Sequence, residues 1–151
     1  MASSLVKIDI HLIFHIKSTC ITMRDEDLPR IFSYIAGIVN GVGGVSFIVG
    51  GINDHVHILA SLPKSMSVVD FVRTVKAESS RWMKSLDRSY SGFAWQDGYG
   101  AFSVSPSVLP KTVEYIKRQR EHHKRRSFES EYRALLVASG VAFDERYAFG
   151  D

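Results

Sequence analysis

A single cysteine, Cys20, leaves no partner for an internal disulfide, so folding calls for no oxidising compartment. Four prolines and eleven glycines in 151 residues are too few for a collagen-like repeat or a proline-rich linker. No unbroken apolar run approaches the roughly 20 residues a membrane-spanning helix needs, which excludes an integral membrane protein of that kind. The apolar stretch near the start is interrupted by Lys7, Asp9 and His11, unlike a secretory leader. Acidic blocks are also missing, which excludes an acidic solvating tail. These absences leave one compact domain over residues 1–151, expected in the cytoplasm and away from membranes.

What is present supports a packed core: 45% of residues are hydrophobic and 23% charged, with a formal net charge of +3. Leu5 to Lys17, rich in Ile, Leu, Val and Phe, reads as a first strand. Asp27 followed by Leu28-Pro29 is a helix start with a polar cap, and Ile31, Phe32, Ile35 and Val39 follow at helical spacing. The Gly41–Gly44 run stops that helix. It precedes a strand and not a helix N-terminus, so it predicts no anion site.

Val45 to Val49 gives a second strand, Gly50 to Asp54 a turn and His55 to Leu62 a third strand. Ser67, with Asp70 three residues on, opens a second amphipathic helix carrying Phe71, Val72, Val75 and Trp82. Phe93 to Trp95 and Ala101 to Val104 flank a turn and predict a hairpin. A third helix runs from Ser105-Pro106 to about His123, and a last one from Phe128 to Ser139. Phe14, Phe32, Phe47, Phe71 and Trp82 are expected in the core, and Trp95 and Tyr99 are expected to pack there and not to stack on bases.

The order β-α-β-β-α-β-α-α, without repeats or linkers, predicts an α+β fold. This is a ferredoxin-like (split βαβ) arrangement, an antiparallel-rich sheet with helices packed on one face, plus a C-terminal helix bearing Tyr115.

Three features carry chemistry. On the third strand, His55-Val56-His57 places two imidazoles on one face, because side chains two apart on a strand project together. They could share a metal ion, or simply line a half-polar face. Asp54, just before, could orient His55 or serve the turn. On the third helix, Tyr115 and Gln119 stack four apart, with His122 and His123 a further turn along. Tyr115 also suits an interfacial aromatic and Gln119 a surface amide. Finally, Lys117, Arg118, Arg120, Lys124, Arg125 and Arg126 make six of ten residues basic, opposed only by Glu121. Such a cluster can neutralise nucleic-acid phosphates, or merely solvate a helix end and favour its dipole.

Together these suit one reaction. A divalent metal held by two imidazoles and an amide oxygen leaves positions open for phosphate oxygens. Tyrosine can then attack as a covalent nucleophile, although an unperturbed pKa of about 10 means its proton needs an acceptor, which the sequence does not identify.

The chain resembles the single-tyrosine HUH transposases of small bacterial insertion sequences and their REP-associated relatives. The matching segments are HLIFHIKS at His11–Ser18, GGINDHVHIL at Gly50–Leu59 and WQDGYGAFSVS at Trp95–Ser105. To these add YIKRQREHHKRRSFESEY at Tyr115–Tyr132 and DERYAFGD at Asp144–Asp151.

The resemblance implies metal-assisted cleavage of single-stranded DNA by Tyr115, leaving a 5′-phosphotyrosine and a free 3′-hydroxyl that allow rejoining without ATP. It implies His55, His57 and Gln119 as ligands of Mg²⁺ or Mn²⁺, recognition of hairpins at element ends, and a homodimer. In some relatives the tyrosine helix of one subunit completes the other's site. His122 and His123 match the family's EHH segment and are expected to support the site or touch DNA. Two other readings stay open: a domesticated, non-catalytic protein that binds single strands or hairpins, and a phosphoesterase that uses water and leaves Tyr115 idle.

Overall fold

The computed structural model describes residues 2–150. A four-stranded sheet in the order β2-β3-β1-β4 forms its centre. The strands are β1 (Asp9–His15), β2 (Val45–Ile52), β3 (His55–Ser61) and β4 (Gly100–Ser103), and every neighbouring pair is antiparallel. Helix α1 (Leu28–Gly41) connects β1 to β2, and α2 (Val68–Leu86) connects β3 to β4. This is the α+β, split βαβ architecture that the element order predicts.

Alternation along β1 divides the molecule into two layers. Ile10, Leu12 and Phe14, opposite Ala60, Ile58 and Val56 of β3, face one side. There they are buried with Ile31, Ile35 and Val39 of α1 and Phe71, Val72 and Val75 of α2. Truncating any of these Leu or Ile side chains to Ala costs about 2–5 kcal/mol. His11, Ile13 and His15, opposite Leu59, His57 and His55, face the other side. That side is covered by α3 (Leu109–Lys117), α4 (Gln119–His122) and α5 (Phe128–Ala138), around a smaller cluster of Ile13, Phe102, Tyr132 and Leu136. A short α6 (Glu145–Ala148) follows. The crossover helices thus share one face and the tyrosine-bearing helix takes the other.

Several local expectations are revised. Gly50 and Gly51 belong to β2, opposite His57 and Val56, and the turn contracts to Asn53-Asp54. Both glycines serve close approach: a Cβ on Gly50 would lie 2.7 Å from Ile116 Cγ2, and Gly51, at φ +142°, would put one 2.2 Å from the His55 carbonyl oxygen.

The predicted hairpin around residues 96–100 does not form. Trp95 bridges Ile16, Gln96 N–H donates to the His15 carbonyl at 2.8 Å, and β4 pairs with Ile10–Ile13. Both segments follow the free edge of β1, because alternation marks a strand without naming its partner. Lys76 secures the intervening loop by donating to the carbonyls of Gln96 (2.7 Å) and Gly98 (2.6 Å).

The predicted third helix breaks at Arg118 (φ −96°, ψ 19°), whose N–H reaches back to the Tyr115 carbonyl, dividing α3 from α4. Asp27 stands at the start of α1 but caps nothing. Its buried carboxylate accepts from Tyr90 Oη (2.5 Å) and Arg24 Nε (2.8 Å). Phe14 and Phe71 are fully buried, Phe32 and Trp82 partly so, and Phe47 is exposed on an edge strand beneath Lys7. Trp95 is buried, its indole N–H donating to Ser79 Oγ (2.9 Å), and Tyr99 packs beside it against the same core. Among the described residues no helix is long and apolar enough to cross a membrane.

Candidate active site

The imidazole face of the sheet and the three helices above it enclose one buried polar cluster. His55 and His57 project from β3, are fully buried, and stand with ring centroids 5.1 Å apart. Tyr115 comes from the last turn of α3, Gln119 from the first residue of α4 and Glu131 from α5. Gln119 and Glu131 are each 1% exposed, so of the two readings open for Gln119 the surface amide does not hold and the side chain lies in the interior.

Glu131 is the hub. Its Oε2 accepts from the Tyr115 hydroxyl and from Gln119 Nε2 (2.9 Å). Its Oε1 lies 3.2 Å from His57 Nε2, 3.4 Å from His55 Nε2 and 3.1 Å from His123 Nε2. Gln119 Oε1 lies 2.9 Å from His55 Nε2 and 3.1 Å from His123 Nε2. Outward-facing partners set the ring orientations: Asp54 Oδ1 accepts from His55 Nδ1 (2.7 Å), and His57 Nδ1 shares a hydrogen bond with His11 Nε2 (2.7 Å). Both imidazoles therefore turn Nε2 toward the shared centre, and Asp54 takes the orienting position.

Electrostatics distinguish these groups. Burial opposes the Glu131 charge, yet hydrogen bonds from His55, His57 and Tyr115 outweigh it and hold the carboxyl far below the ordinary carboxylate range. Burial alone would lower His55, but bonding to Asp54 and Glu131 raises it to about 9. His57 is lowered to about 4, by burial and then by repulsion from His55 against the opposing pull of Glu131. His11 is lowered to about 3 by burial and by His57. Tyr115 is pushed well above its usual range, first by burial and then by the bond to Glu131, so its hydroxyl keeps its proton unless the surroundings change.

The donor atoms of His55, His57 and Glu131 all lie within 4.8 Å of one another. Metal–ligand bonds of about 2.0–2.2 Å require neighbouring donors about 3.0–3.5 Å apart, close to the separations around Glu131 Oε1. The cluster fits a divalent cation with mixed nitrogen and oxygen ligands.

The remaining predicted residues separate into groups. His123 joins the cluster. His122 lies outside it, its ring tilted 34° against Tyr115 at 4.8 Å, with Nε2 buried and unpartnered. An unsatisfied buried polar atom of that kind costs about 1–3 kcal/mol. Lys117 pairs with Glu114 (3.6 Å) and Arg120 with Asp25 (3.1 Å). Arg118, Lys124, Arg125 and Arg126 line a cavity of about 480 Å³ with His122 and Glu121.

Sequence reasoning missed Glu131 and His11. Glu131 interrupts the apolar stripe of Phe128, Tyr132, Leu135 and Leu136, and a carboxylate on a buried stripe is the signal that could have found it. His11 shares strand parity with His15 on the face opposite Ile10 and Leu12.

A family model described as "Transposase IS200 like" matches residues 4–119, from before β1 through Gln119. The chain belongs to the IS200-like transposase family. The ISDra2 transposase TnpA of Deinococcus radiodurans strain R1 is 29% identical over 73 residues, 45% of this chain and 52% of that protein. The match thus spans about half the length of that relative. Two solved structures share the fold. A crystal structure of a protein assigned as a transposase, from Deinococcus radiodurans R1, has a TM-score of 0.60 at 23% identity, covering 79% of this chain and 95% of that one. A REP-associated tyrosine transposase bound to a REP hairpin has a TM-score of 0.59 at 12% identity, covering 95% of this chain and 87% of that one. The family match ends at Gln119, so Glu131 lies beyond the matched segment.

Proposed function

We propose that the protein is a DNA strand transferase that cleaves and rejoins single-stranded DNA through Tyr115. The observation that carries this reading is the convergence of the Tyr115 hydroxyl, two imidazole Nε2 atoms and the Gln119 amide on one buried carboxylate, Glu131.

The Tyr115 oxygen forms a bond to phosphorus as the bond from phosphorus to the 3′ oxygen breaks. The products are a 5′-phosphotyrosine and a 3′-hydroxyl. Glu131 Oε2 accepts the Tyr115 hydroxyl and so aims its oxygen. Because that carboxylate is a weak base, the phenolic proton passes by way of solvent to the departing 3′ oxygen, which leaves as the 3′-hydroxyl. Attack by another strand's 3′-hydroxyl reverses the exchange, so no external energy source is needed. His55 Nε2, His57 Nε2, Gln119 Oε1 and Glu131 Oε1 would hold Mg²⁺ or Mn²⁺. That ion would polarise the phosphoryl oxygens and stabilise developing charge. Asp54 and His11 hold the two imidazoles in register.

The substrate in this reading is a single strand carrying a hairpin, in keeping with the fold neighbour bound to a REP hairpin. The protein acts as a cytoplasmic homodimer.

The test is incubation with Mn²⁺ and a labelled library of hairpins flanked by random single strands, followed by a denaturing gel. We expect a protein–DNA adduct that disappears in Tyr115→Phe, and loss of metal-dependent cleavage in His57→Ala with the fold retained. Full cleavage by Tyr115→Phe would sink the proposal. Free cleaved DNA without adduct would indicate a hydrolase, and binding without cleavage a domesticated DNA-binding protein.

A further inference from the structure

Two cavities meet beside Tyr115. One, of about 450 Å³, is lined by Lys111, Glu114, Tyr115, Arg118 and His122. The other, of about 480 Å³, is lined by Arg118 and His122 again, with Glu121, Lys124, Arg125 and Arg126. Arg118 and His122 are the junction.

The basic run is not one uniform surface. Lys117 is engaged by Glu114, and Arg120 by Asp25 in front of α1. Among the described residues, Arg118, Lys124, Arg125 and Arg126 stand in no ion pair, and Arg126 donates to the neutral Ser130 carbonyl (3.3 Å), so no carboxylate offsets their charge. At the junction, His122 Nε2 is buried with no hydrogen-bond partner while its ring rests against Tyr115. Orphaned buried polar atoms are rare in folded proteins, and each calls for an explanation. A planar guanidinium beside an unsatisfied imidazole nitrogen complements a phosphate group.

We propose that Arg118 and His122 seat the phosphodiester next to the one attacked by Tyr115, and that Lys124, Arg125 and Arg126 carry the strand away along the second cavity. Lys117 and Arg120, each with a carboxylate beside it at the surface, contribute less to the strand path. A small turn of the His122 ring presents Nε2 to a phosphate oxygen at the junction, and the ring's contact with Tyr115 couples strand entry to the position of the phenol. The inference rests on the proposed reaction, because it takes the ligand to be a single strand passing Tyr115.

Binding is read in a Tyr115→Phe background, which keeps the aromatic contact and prevents covalent trapping. The probe is a fluorescein-labelled random single strand of about 30 nucleotides with Mn²⁺, followed by anisotropy between about 50 and 200 mM salt. Arg118→Gln is expected to lose about five- to tenfold in affinity, and about one unit in the slope of log affinity against log salt. Exposed Arg125→Gln should lose similar slope without disturbing packing. His122→Phe should lose about threefold or more at unchanged slope, with recovery in His122→Gln, because only a hydrogen-bonding group is exchanged. Lys84→Gln, on α2, is the control.

The inference is overturned if Arg118→Gln and His122→Phe bind as the parent does, or if Lys84→Gln loses as much slope as Arg118→Gln. Displacement of DNA by polyglutamate as readily as by a second oligonucleotide overturns it as well. If the wild-type protein forms its adduct while these variants bind normally, this inference alone fails. If the parent binds no single strand, the proposed reaction fails with it.

Discussion

The Tyr115 hydroxyl and His57 Nε2 are bound to opposite oxygens of one carboxylate, Glu131, which is 1% exposed. The group proposed to attack and the groups proposed to hold a cation are therefore not independent, because whatever draws on one oxygen alters the demand on the other.

Glu131→Ala is expected to weaken Mn²⁺ binding by about 10- to 100-fold, measured by calorimetric titration. It should also remove most of the thermal stabilisation that the ion confers on the wild-type protein. Unchanged affinity would take Glu131 out of the donor set.

His55 and His57 oppose each other in pH dependence. The folded value for His55, about 9, lies above the usual 6.5, so the stability it contributes is present below pH 6.5 and lost as pH rises through 9. His57 and His11, lowered to about 4 and about 3, contribute stability above pH 6.5 that is lost as pH falls through those values. Urea unfolding in chelator across this range should show greatest stability near pH 6.5. Asp54→Asn should flatten the alkaline side, because it removes the hydrogen-bonded charge that raises His55.

Gly50→Ala and Gly37→Ala should differ in sign. At Gly50 a new Cβ would meet Ile116 Cγ2 at 2.7 Å and the Ile116 carbonyl oxygen at 3.1 Å, and that oxygen belongs to the backbone of α3. We expect a stability loss of about 1–3 kcal/mol. Adduct formation should fall further, on the order of 100-fold, because the shift displaces the helix that carries Tyr115. At Gly37, on the exposed face of α1 with nothing within 4 Å, alanine should stabilise by about 0.5–1 kcal/mol. Denaturant midpoints and adduct yields measured together test both.

Tyr90→Phe isolates a purely structural bond. The buried Tyr90 hydroxyl donates to Asp27 and accepts from the Arg24 N–H (2.9 Å), on the side of the sheet away from the imidazoles. Its loss should cost about 1–3 kcal/mol and leave adduct formation per folded molecule unchanged. A change in adduct yield beyond the folded fraction would contradict that separation.

The fold was legible because its signals are periodic and local. The strand alternation around His55 and His57 and the spacing of Ile31, Ile35 and Val39 need no knowledge of partners. What escaped depended on distant chain. Nothing between Thr112 and Arg126 is Gly or Pro, so the break at Arg118 leaves no local mark. Gln119 bonded to His55 and Glu131 accompanies that break. Gly50 and Gly51 read as a turn because an approaching helix was invisible. Tyr115, His55, His57 and Gln119 could be selected from spacing and resemblance, whereas Glu131 is marked only by standing on the apolar stripe of α5, a sign that names no partner.

Strand β1 carries Ile10, Leu12 and Phe14 on one side and His11, Ile13 and His15 on the other. Adjacent codons in this stretch consequently answer to different kinds of selection. Changes at the even positions are screened by whether the chain survives as a folded molecule. Changes at His11, whose Nε2 is hydrogen-bonded to His57 Nδ1, are expected to register as well in what the molecule can do once folded. Saturation mutagenesis scored for cellular abundance should dip at Ile10, Leu12 and Phe14 and also at Ile13, which is buried in the second cluster, while the difference between abundance and activity scores should be largest at His11. A lineage carrying this sheet can revise its imidazole face while inheriting an intact scaffold.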